Sequence, residues 1–494
     1  MIMRTMANPA PICTKSLSIP ERAVLAVAFC VTFVLGVLRA EPAKTAAIPP
    51  MPASLDVAAI DRHLAATITE PRFVGLTVAI VRNGEVVLAK GYGKRSLADG
   101  RPVTADTAFG IGSVSKQFTC ACILLLAEEG KLSVLDPVAK YYPNLTRAGD
   151  ITLLDLMNHT SGYPDYYPLD FLDTRMKVPI SPDALLSQYA GGKLDFEPGT
   201  RWSYSNTGFV LLAQVVERVS GQPMGEFLAK RIFGPLGMAH TVYEPSADDP
   251  RVAQGYASFA LSPPCPVPPE ALGWLGGAGA ICSTPTDLAK WDLALMDGRL
   301  LRPDSFALMA KVRALANGRL TGYGCGWQVR EQNGRIVMSH GGAVSGFNAS
   351  NTMVPSTRSA VVAIANFEDS LGSVPGDILR LLLQEPSNVP QVQGLSAADQ
   401  SRELFLQLQA GKLDRSKLAP EFNLFLTPEK ASETAVRFKP YGKLRSVETL
   451  SLRERGGLEV SSVRLTFVKG PGSSRTLMYR QPGGVVEQFF VSPE

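Results

Sequence analysis

The chain has 494 residues, of which 45% are hydrophobic and 19% are charged. A chain of this length and ordinary globular composition has enough apolar material for more than one folded domain. Its formal net charge of +4 is small, and it has no basic runs and no phosphate-binding Gly-x-x-x-x-Gly-Lys loop. The four histidines are scattered without metal-ligand spacing. We therefore expect no nucleic-acid partner, no metal and no cofactor.

Residues 1–50 have the features of a targeting sequence. Three basic residues precede an apolar run over residues 23–38. The pattern predicts a secretory signal peptide that is cleaved after Ala40 or near Ala47. The alternative is an uncleaved anchor that tethers the chain to a membrane, although the run is short for a span. Either reading predicts an exported protein, periplasmic or secreted.

Residues 53–385 contain patterns that predict one large α+β domain. An amphipathic helix is expected over 54–69, and two β-rich segments flank Asn83-Gly84, which is a strong hairpin signal. The later patterns predict five helices: from Ser113 to Gly130, over 151–158, over 207–219, after Pro285 and over 378–383. They also predict four strands, over 323–329, 335–340, 347–354 and 360–366. The early hairpin and the late strands can share one antiparallel sheet, with the helices packed beside it. Both ends of this domain then contribute to the same sheet.

Two segments of this domain read as irregular surface structure, 163–199 and the Pro-dense stretch 245–269. Five cysteines lie beyond residue 50, so at least one of them is unpaired. A bridge between Cys265 and Cys282 is left open.

The C-terminal part reads as a second, smaller unit. Residues 386–396 are rich in Pro, Gln and Ser and are typical of a linker. A small α+β domain is expected over 397–494, with an amphipathic helix over 397–410 that ends at Gly411. Four strands are predicted after it, over 446–453, 458–469, 475–481 and 485–491.

The strongest chemical signal is a serine three residues before a lysine, Ser113 and Lys116, at the start of a strongly apolar helix. Side chains three residues apart share a face of a helix, so the hydroxyl and the amine can meet. A serine nucleophile needs a base, and a lysine is a base only where burial lowers its pKa. Alone, the pair also fits a helix cap beside a solvated charge.

Two further elements follow in order, Tyr204-Ser205-Asn206 and His340-Gly341-Gly342. Together with Ser113-Val114-Ser115-Lys116 they resemble the three signature elements of the serine β-lactamase and penicillin-binding-protein superfamily. Their order and spacing are similar to the class C β-lactamase branch, which also contains esterases and D-peptidases. The resemblance covers roughly residues 54–385. A nearer Tyr-x-Asn, Tyr142-Pro143-Asn144, shows how readily the second pattern arises by itself.

The resemblance implies acyl transfer through an acyl-enzyme on Ser113. Lys116 and Tyr204 are then the candidates for the base and act as a coupled pair, whose proton the sequence does not place. Asn206 is expected to orient Lys116 or to bind the substrate. The backbone N–H groups of Ser113 and Ala343 are the expected oxyanion hole. His159 and Ser161 are read as residues that fix a loop.

The third element departs from the β-lactamase pattern. Penicillin-processing members generally have Lys-Thr-Gly there, whereas this chain has His340-Gly341-Gly342, which we take as substrate-binding residues. A neutral histidine holds an anion more weakly than an ammonium does, and glycine has no hydroxyl. The sequence therefore favours a small ester or a D-amino-acid-type peptide as the substrate. The alternatives are a β-lactamase or D,D-carboxypeptidase and, in another class, a non-catalytic sensor with the penicillin-binding fold.

Overall fold

The computed structural model of the protein describes residues 51–52, 54–70, 73–167, 174–258, 262–368, 371–384, 389–468 and 472–493. The predicted signal or anchor segment, 1–50, lies outside the described residues. Within the described ranges, no helix is long and apolar enough to cross a membrane.

The helices of the described ranges are α1 Val57–Thr67, α2 Ser115–Glu128, α3 Leu153–Met157, α4 Pro182–Tyr189, α5 Asn206–Ser220, α6 Met224–Leu228, α7 Gly276–Gly279, α8 Pro285–Met296, α9 Pro303–Ala310, α10 Val374–Leu382, α11 Ala397–Ala410, α12 Pro420–Phe425 and α13 Pro428–Phe438. The strands are β1 Gly75–Arg82, β2 Glu85–Gly93, β3 Phe109–Gly110, β4 Val242–Tyr243, β5 Tyr256–Ala257, β6 Cys265–Pro266, β7 Ile281–Ser283, β8 Gln328–Gln332, β9 Arg335–Val344, β10 Phe347–Val354, β11 Ser359–Ala365, β12 Leu444–Arg455, β13 Leu458–Phe467, β14 Ser473–Arg480 and β15 Val486–Pro493.

The largest sheet has six antiparallel strands in the order β2-β1-β11-β10-β9-β8. The β1–β2 hairpin turns at Asn83 and Gly84, which both have positive φ, as a tight hairpin turn requires. Strand β1, from the start of the domain, pairs with β11 from its end. The predicted α+β fold, with both ends of the domain in one sheet, is confirmed.

Helix α2 is the buried helix that the sequence predicts. Twelve of its fourteen residues are buried, including Lys116 and Gln117 in its first turn. Helices α5 and α7 pack against it. A helix that is apolar on all sides has to be surrounded by other elements, so the Ser-x-x-Lys pair begins inside the protein.

The strand predicted over 323–329 is wrong, because β8 begins only at Gln328. The preceding residues form a loop in which Gly324 N donates to Trp327 O at 2.8 Å. Gly326 has a φ of +74°, and a Cβ at this position would lie 2.8 Å from the carbonyl oxygen of Lys116. The apolar and aromatic residues here pack beside α2 as a loop, although their composition is typical of a strand.

Residues 163–199 differ from their prediction, and the structure also answers the cysteine pairing that the sequence left open. Segment 163–199 is not wholly irregular, since it contains α4 and a short 3₁₀ turn at Thr174–Lys177. Cys265 and Cys282 are both free thiols, so the bridge that the sequence left open is absent.

The C-terminal residues form their own four-stranded sheet, β12-β13-β14-β15. Helix α11 ends at Gly411, whose φ of 65° is the left-handed cap that the sequence predicts. Its buried residues join those of the sheet in a separate apolar cluster, which includes Phe405. The four predicted strands are confirmed, while the domain boundaries stay a prediction.

A buried polar network lies directly behind the Ser-x-x-Lys helix. Asn351 on β10 donates to Asp292 Oδ1 on α8 at 2.9 Å and to Gln117 Oε1 on α2 at 3.2 Å. Asp292 Oδ2 has no hydrogen-bond partner among the described residues. Burial raises the pKa of Asp292 well above its ordinary value. The folded protein therefore favours the protonated, neutral form of Asp292.

This protonation gives a testable dependence of stability on pH. Because the folded pKa of Asp292 is raised, its contribution to stability is fully present below about pH 4 and is lost as the pH rises. Asp292→Asn keeps an acceptor for Asn351 and does not titrate. The thermal midpoint of Asp292→Asn minus that of wild type should therefore increase by at least about 2 °C from pH 5 to pH 9. A change of about 1 kcal/mol in the free energy of unfolding would produce this shift. If the thermal midpoints of the two proteins changed with pH in parallel, Asp292 would not be protonated as described. The control is Asp183→Asn, at an exposed site on α4.

Candidate active site

Ser113 is placed by a strand and a tight turn. Strand β3 pairs with β7, and Ile111 N donates to Ile281 O at 3.0 Å. The chain then makes a 3₁₀ turn over Gly112–Val114 and enters α2. Gly112 has a φ of +48°, and a Cβ there would lie 2.7 Å from Ala343 N. The serine is therefore held against strand β9 by a backbone contact that only glycine permits.

The close contact between the Ser113 turn and strand β9 also forms the region of the predicted oxyanion hole. A Cβ on Gly342 would lie 1.9 Å from Ile111 O and 3.1 Å from Ser113 N. Ser113 and Ala343 both line one narrow cleft. The two backbone segments that carry the predicted oxyanion donors are thus brought together, and the donor role itself stays a prediction.

Lys116 is completely buried, and its Nζ has three oxygen partners. Nζ lies 3.0 Å from Ser113 Oγ, 2.7 Å from Asn206 Oδ1 and 2.7 Å from the carbonyl oxygen of Ala278. Burial lowers the pKa of Lys116 to about 7, against the opposing effect of the Asp165 charge. Ser113 therefore has within hydrogen-bond distance an amine that can take its proton at neutral pH.

Tyr204 lies beside this pair, as the resemblance predicts. Lys116 Nζ is 4.8 Å from the centre of the Tyr204 ring. Burial raises the pKa of the Tyr204 hydroxyl, and the facing Ser113 hydroxyl opposes that rise. The hydroxyl has no partner at hydrogen-bond geometry among the described residues. It is therefore available to a reacting group in the cleft.

Asn206, at the start of α5, connects Lys116 to a residue that sequence reasoning missed. Its Nδ2 donates to Asp165 Oδ1 at 3.0 Å and to Oδ2 at 3.1 Å. Its backbone N–H also donates to Asp165 Oδ1, at 2.9 Å. Asp165 lies 41 positions before Asn206, inside a segment whose composition predicts irregular surface structure, so no local pattern pointed to it.

His340 is buried at the other side of the cleft, on β9. Its Nε2 is 2.8 Å from the Tyr323 hydroxyl, and its Nδ1 is 2.6 Å from Gly341 O. Burial and the nearby Lys116 lower the pKa of His340 to about 3, so the ring is neutral. Both ring nitrogens already have protein partners, and a substrate would have to displace Tyr323 to bind Nε2. Tyr323 is a second residue that the sequence did not indicate.

His159 fixes the segment that precedes α5, as the sequence suggested. Its Nδ1 accepts a hydrogen bond from Ser205 N at 3.1 Å. Its ring packs on the Tyr204 ring with a centroid distance of 4.2 Å. Burial holds the pKa of His159 well below its ordinary value. The buried neutral ring, packed at a tilt of 33° on Tyr204, therefore supports that tyrosine.

The cleft adjoins a much larger cavity. Its walls are formed by Ser113, Tyr166, Tyr167, Asn206, Leu275, Ala278, Gly279, Ala343 and Val344. Three of these residues, Leu275, Gly279 and Val344, also line a neighbouring cavity of about 570 Å³. Much of the wall of that cavity comes from the Pro-dense stretch 245–269. This stretch, whose composition predicts a surface loop, therefore lines the cavity beside the reaction cleft.

Glu270 lines this larger cavity and contacts a wall residue of the cleft. Its Oε1 accepts from the Tyr167 hydroxyl at 2.5 Å and from Ser345 N at 3.0 Å. One carboxylate thus joins the aromatic wall of the cleft to the end of strand β9. The ranges that the structure describes contain no cluster of three or more His, Cys, Asp or Glu side chains able to hold a metal ion.

Comparison with known proteins agrees with this geometry. The sequence profile of the Beta-lactamase family matches residues 60–385. The chain is 32% identical over 315 residues to the putative penicillin-binding protein PbpX of Bacillus subtilis (strain 168), covering 63% of this chain and 75% of that protein. It is 30% identical over 330 residues to a D-aminopeptidase of Brucella anthropi, covering 65% of this chain and 62% of that protein.

Among solved structures, the D-amino acid amidase from Ochrobactrum anthropi SV3, complexed with L-phenylalanine amide, is similar with a TM-score of 0.54. It is 26% identical and covers 65% of this chain and 95% of that chain. The profile match spans well over half of the sequence, so the chain belongs to the Beta-lactamase family. It is a serine hydrolase of the acyl-enzyme type found in this family.

The close approach of β9 to Ser113 predicts the effect of one added methyl group. Gly342→Ala puts a Cβ against the Ile111 carbonyl and should displace Ala343 from the cleft. The rate at which a fluorophosphonate probe labels Ser113 should fall about a hundred-fold or more, as loss of one oxyanion donor does. The matched control is Gly149→Ala, since Gly149 is exposed and nothing lies within 4 Å of its added Cβ. Wild-type labelling of Gly342→Ala would contradict the predicted oxyanion hole.

Proposed function

We propose that the protein hydrolyses amides of D-amino acids or short D-amino-acid-type peptides, with small esters as poorer substrates. The observation that supports this chemistry is the contact between Ser113 Oγ and the buried Lys116 amine. Burial keeps a large fraction of that amine uncharged near pH 7, so the amine can serve as the base for the serine.

In the first half-reaction, Ser113 Oγ bonds to the substrate carbonyl carbon while its proton moves to Lys116 Nζ. The negative charge that develops on the carbonyl oxygen is held by the backbone N–H groups of Ser113 and Ala343. The carbon–nitrogen bond then breaks, and the Lys116–Tyr204 pair returns a proton to the leaving amine. Tyr204 is suited to this transfer because its hydroxyl lacks another partner among the described residues.

In the second half-reaction, a water molecule attacks the acyl carbon of the ester on Ser113. The coupled base accepts the water proton, and the Ser113–carbon bond breaks. The carboxylic acid leaves, and Ser113 regains its proton. The net reaction adds one water across the amide or ester bond.

The proposed substrate class has support from charge in the cleft. The relatives include a D-aminopeptidase and, among solved structures, a D-amino acid amidase. An amino acid amide carries an ammonium group one carbon from the scissile carbonyl. The Glu270 carboxylate lines the larger cavity and is hydrogen-bonded to Tyr167 of the cleft wall, and we propose that it binds such an ammonium. A β-lactam instead presents a carboxylate, for which neutral His340 offers no positive charge.

We also propose that the protein works outside the cytoplasm, in the periplasm or as a secreted enzyme. The support is the basic and apolar pattern of residues 1–50, either as a cleaved signal or as a membrane tether. Mass spectrometry of the N-terminus of the exported protein separates these two outcomes.

The function is tested by comparing turnover of D-alanine p-nitroanilide, its L isomer, p-nitrophenyl acetate, nitrocefin and a D-Ala-D-Ala peptide. We expect the highest kcat/KM for the D-alanine anilide, and no turnover in Ser113→Ala. Preference for nitrocefin or for the D-Ala-D-Ala peptide would replace the proposal with a β-lactamase or a D,D-carboxypeptidase. Fluorophosphonate labelling without turnover of any of the five would favour a sensor.

Glu270→Gln tests the ammonium contact directly. The substituted side chain would keep an acceptor oxygen for Tyr167 and Ser345 but would lose the negative charge. The ratio of kcat/KM for D-alanine p-nitroanilide to that for p-nitrophenyl acetate should fall about ten-fold or more, as loss of a charged hydrogen bond does. An unchanged ratio would show that Glu270 supports the cleft wall and takes no part in substrate choice.

A further inference from the structure

The Lys116 amine is held by two groups that can only accept hydrogen bonds. Asn206 Oδ1 and the Ala278 carbonyl oxygen each lie 2.7 Å from Nζ. A neutral amine has two N–H bonds and one lone pair, and these two oxygens take up both N–H bonds. The remaining position faces Ser113 Oγ at 3.0 Å. In the neutral state, the lone pair of Lys116 therefore points at the hydroxyl from which it takes the proton.

This arrangement depends on which way the Asn206 amide is turned. Its oxygen has to face Lys116, and its NH₂ has to face away. A carboxylate can only accept, and Asp165 lies on the far side with both oxygens within 3.1 Å of Nδ2. A turned amide would set its oxygen against the Asp165 carboxylate and its NH₂ against the amine. Asp165 thereby disfavours the wrong orientation at both ends of the amide.

We propose that Asp165 is a positioning residue for acyl transfer, which holds the Asn206 amide so that the Lys116 lone pair is directed at Ser113. The proposal rests on the acyl-enzyme chemistry of Ser113 in the proposed function, but not on the identity of the substrate. Asp165 acts on Ser113 only through Asn206 and Lys116. A third hydrogen bond, from the Asn206 backbone at 2.9 Å, ties the same carboxylate to the first turn of α5.

The charge of Asp165 has a second, separable effect on Lys116. The titratable groups that face Lys116 are Asp165 from the loop before α4, Cys120 on α2, His159, Tyr204 and His340. Of these, Asp165 favours the ammonium most strongly. Removal of its charge should lower the pKa of Lys116 further. The midpoint of a pH–rate profile would then move to lower pH, which a purely structural role would not cause.

The first test is Asp165→Asn, with Asp183→Asn as the matched control because Asp183 is an exposed carboxylate on α4. The amide introduced at position 165 would accept from the Asn206 backbone through its oxygen and present an NH₂ to the Asn206 side chain. That side chain should then turn its oxygen away from Lys116. The second-order rate of fluorophosphonate labelling should fall about 10- to 100-fold, and its midpoint should move to lower pH. The control should keep the wild-type rate and midpoint.

The second test exchanges the two side chains in Asp165→Asn/Asn206→Asp. The carboxylate at position 206 would face Lys116 as an acceptor and would accept from the NH₂ at position 165. The exchange thus restores the direction of the lone pair and places a negative charge next to the amine. Labelling should recover to within about ten-fold of wild type at alkaline pH, with a midpoint above that of wild type.

The thermal midpoints of wild type, Asp165→Asn, Asp183→Asn and the double variant are measured first. Labelling of each protein is then measured at the same number of degrees below its own midpoint. A wild-type rate and pH midpoint in Asp165→Asn would overturn the proposal, and so would a loss that the exchange does not reverse. The probe labels the serine whatever the natural substrate is. Normal labelling without turnover of D-amino acid amides would therefore remove the substrate proposal and leave the role of Asp165 standing.

Discussion

The chemistry of this protein depends on one amine that is buried without a full positive charge. Lys116 has no exposed surface, and its pKa is lowered to about 7 because water is excluded. Such burial destabilises the folded protein as the pH falls below the usual pKa of lysine, by on the order of 5 kcal/mol below pH 7. The same burial makes the amine a base for Ser113. The burial that lowers the stability of the folded protein is therefore the same burial that lets Lys116 accept a proton during acyl transfer at neutral pH.

Three helices meet to create that position. Helix α2 carries Lys116 in its first turn, directly after the 3₁₀ turn that holds Ser113, while α7 supplies the Ala278 carbonyl and α5 begins at Asn206. Strand β9 then closes the cleft from the side, at glycine positions where a side chain would collide with the backbone. The Ala278 carbonyl is free to accept from Lys116 because the short helix α7 leaves its last carbonyl groups without partners in the helix.

The local parts of this design could be predicted from the sequence, and the long-range parts could not. The three-residue spacing of Ser113 and Lys116 matches the periodicity of a helix, and Asn83-Gly84 is typical of a hairpin turn. Both features can be predicted because they depend only on residues close together in the sequence. Asp165 lies in a segment whose composition is typical of surface structure, and Glu270 directly follows another such segment. Their hydrogen-bond partners Asn206 and Ser345 lie 41 and 75 positions away along the chain. The loop before β8 resembles a strand in sequence because aromatic and apolar residues occur both in strands and in buried loops. Its long-range contact with α2 determines that it forms a loop.

The central claim is that burial lowers the pKa of Lys116 far enough for a large fraction of the amine to be neutral at pH 7. It is tested most directly by NMR of the protein with ¹³C-labelled lysine, following the Lys116 Cε signal with pH and assigning it by its absence in Lys116→Arg. The account predicts a midpoint of about 7, well below the value near 10.4 of an exposed lysine. A Lys116 that stays charged above pH 9 would contradict it, because the amine could not then take the proton of Ser113.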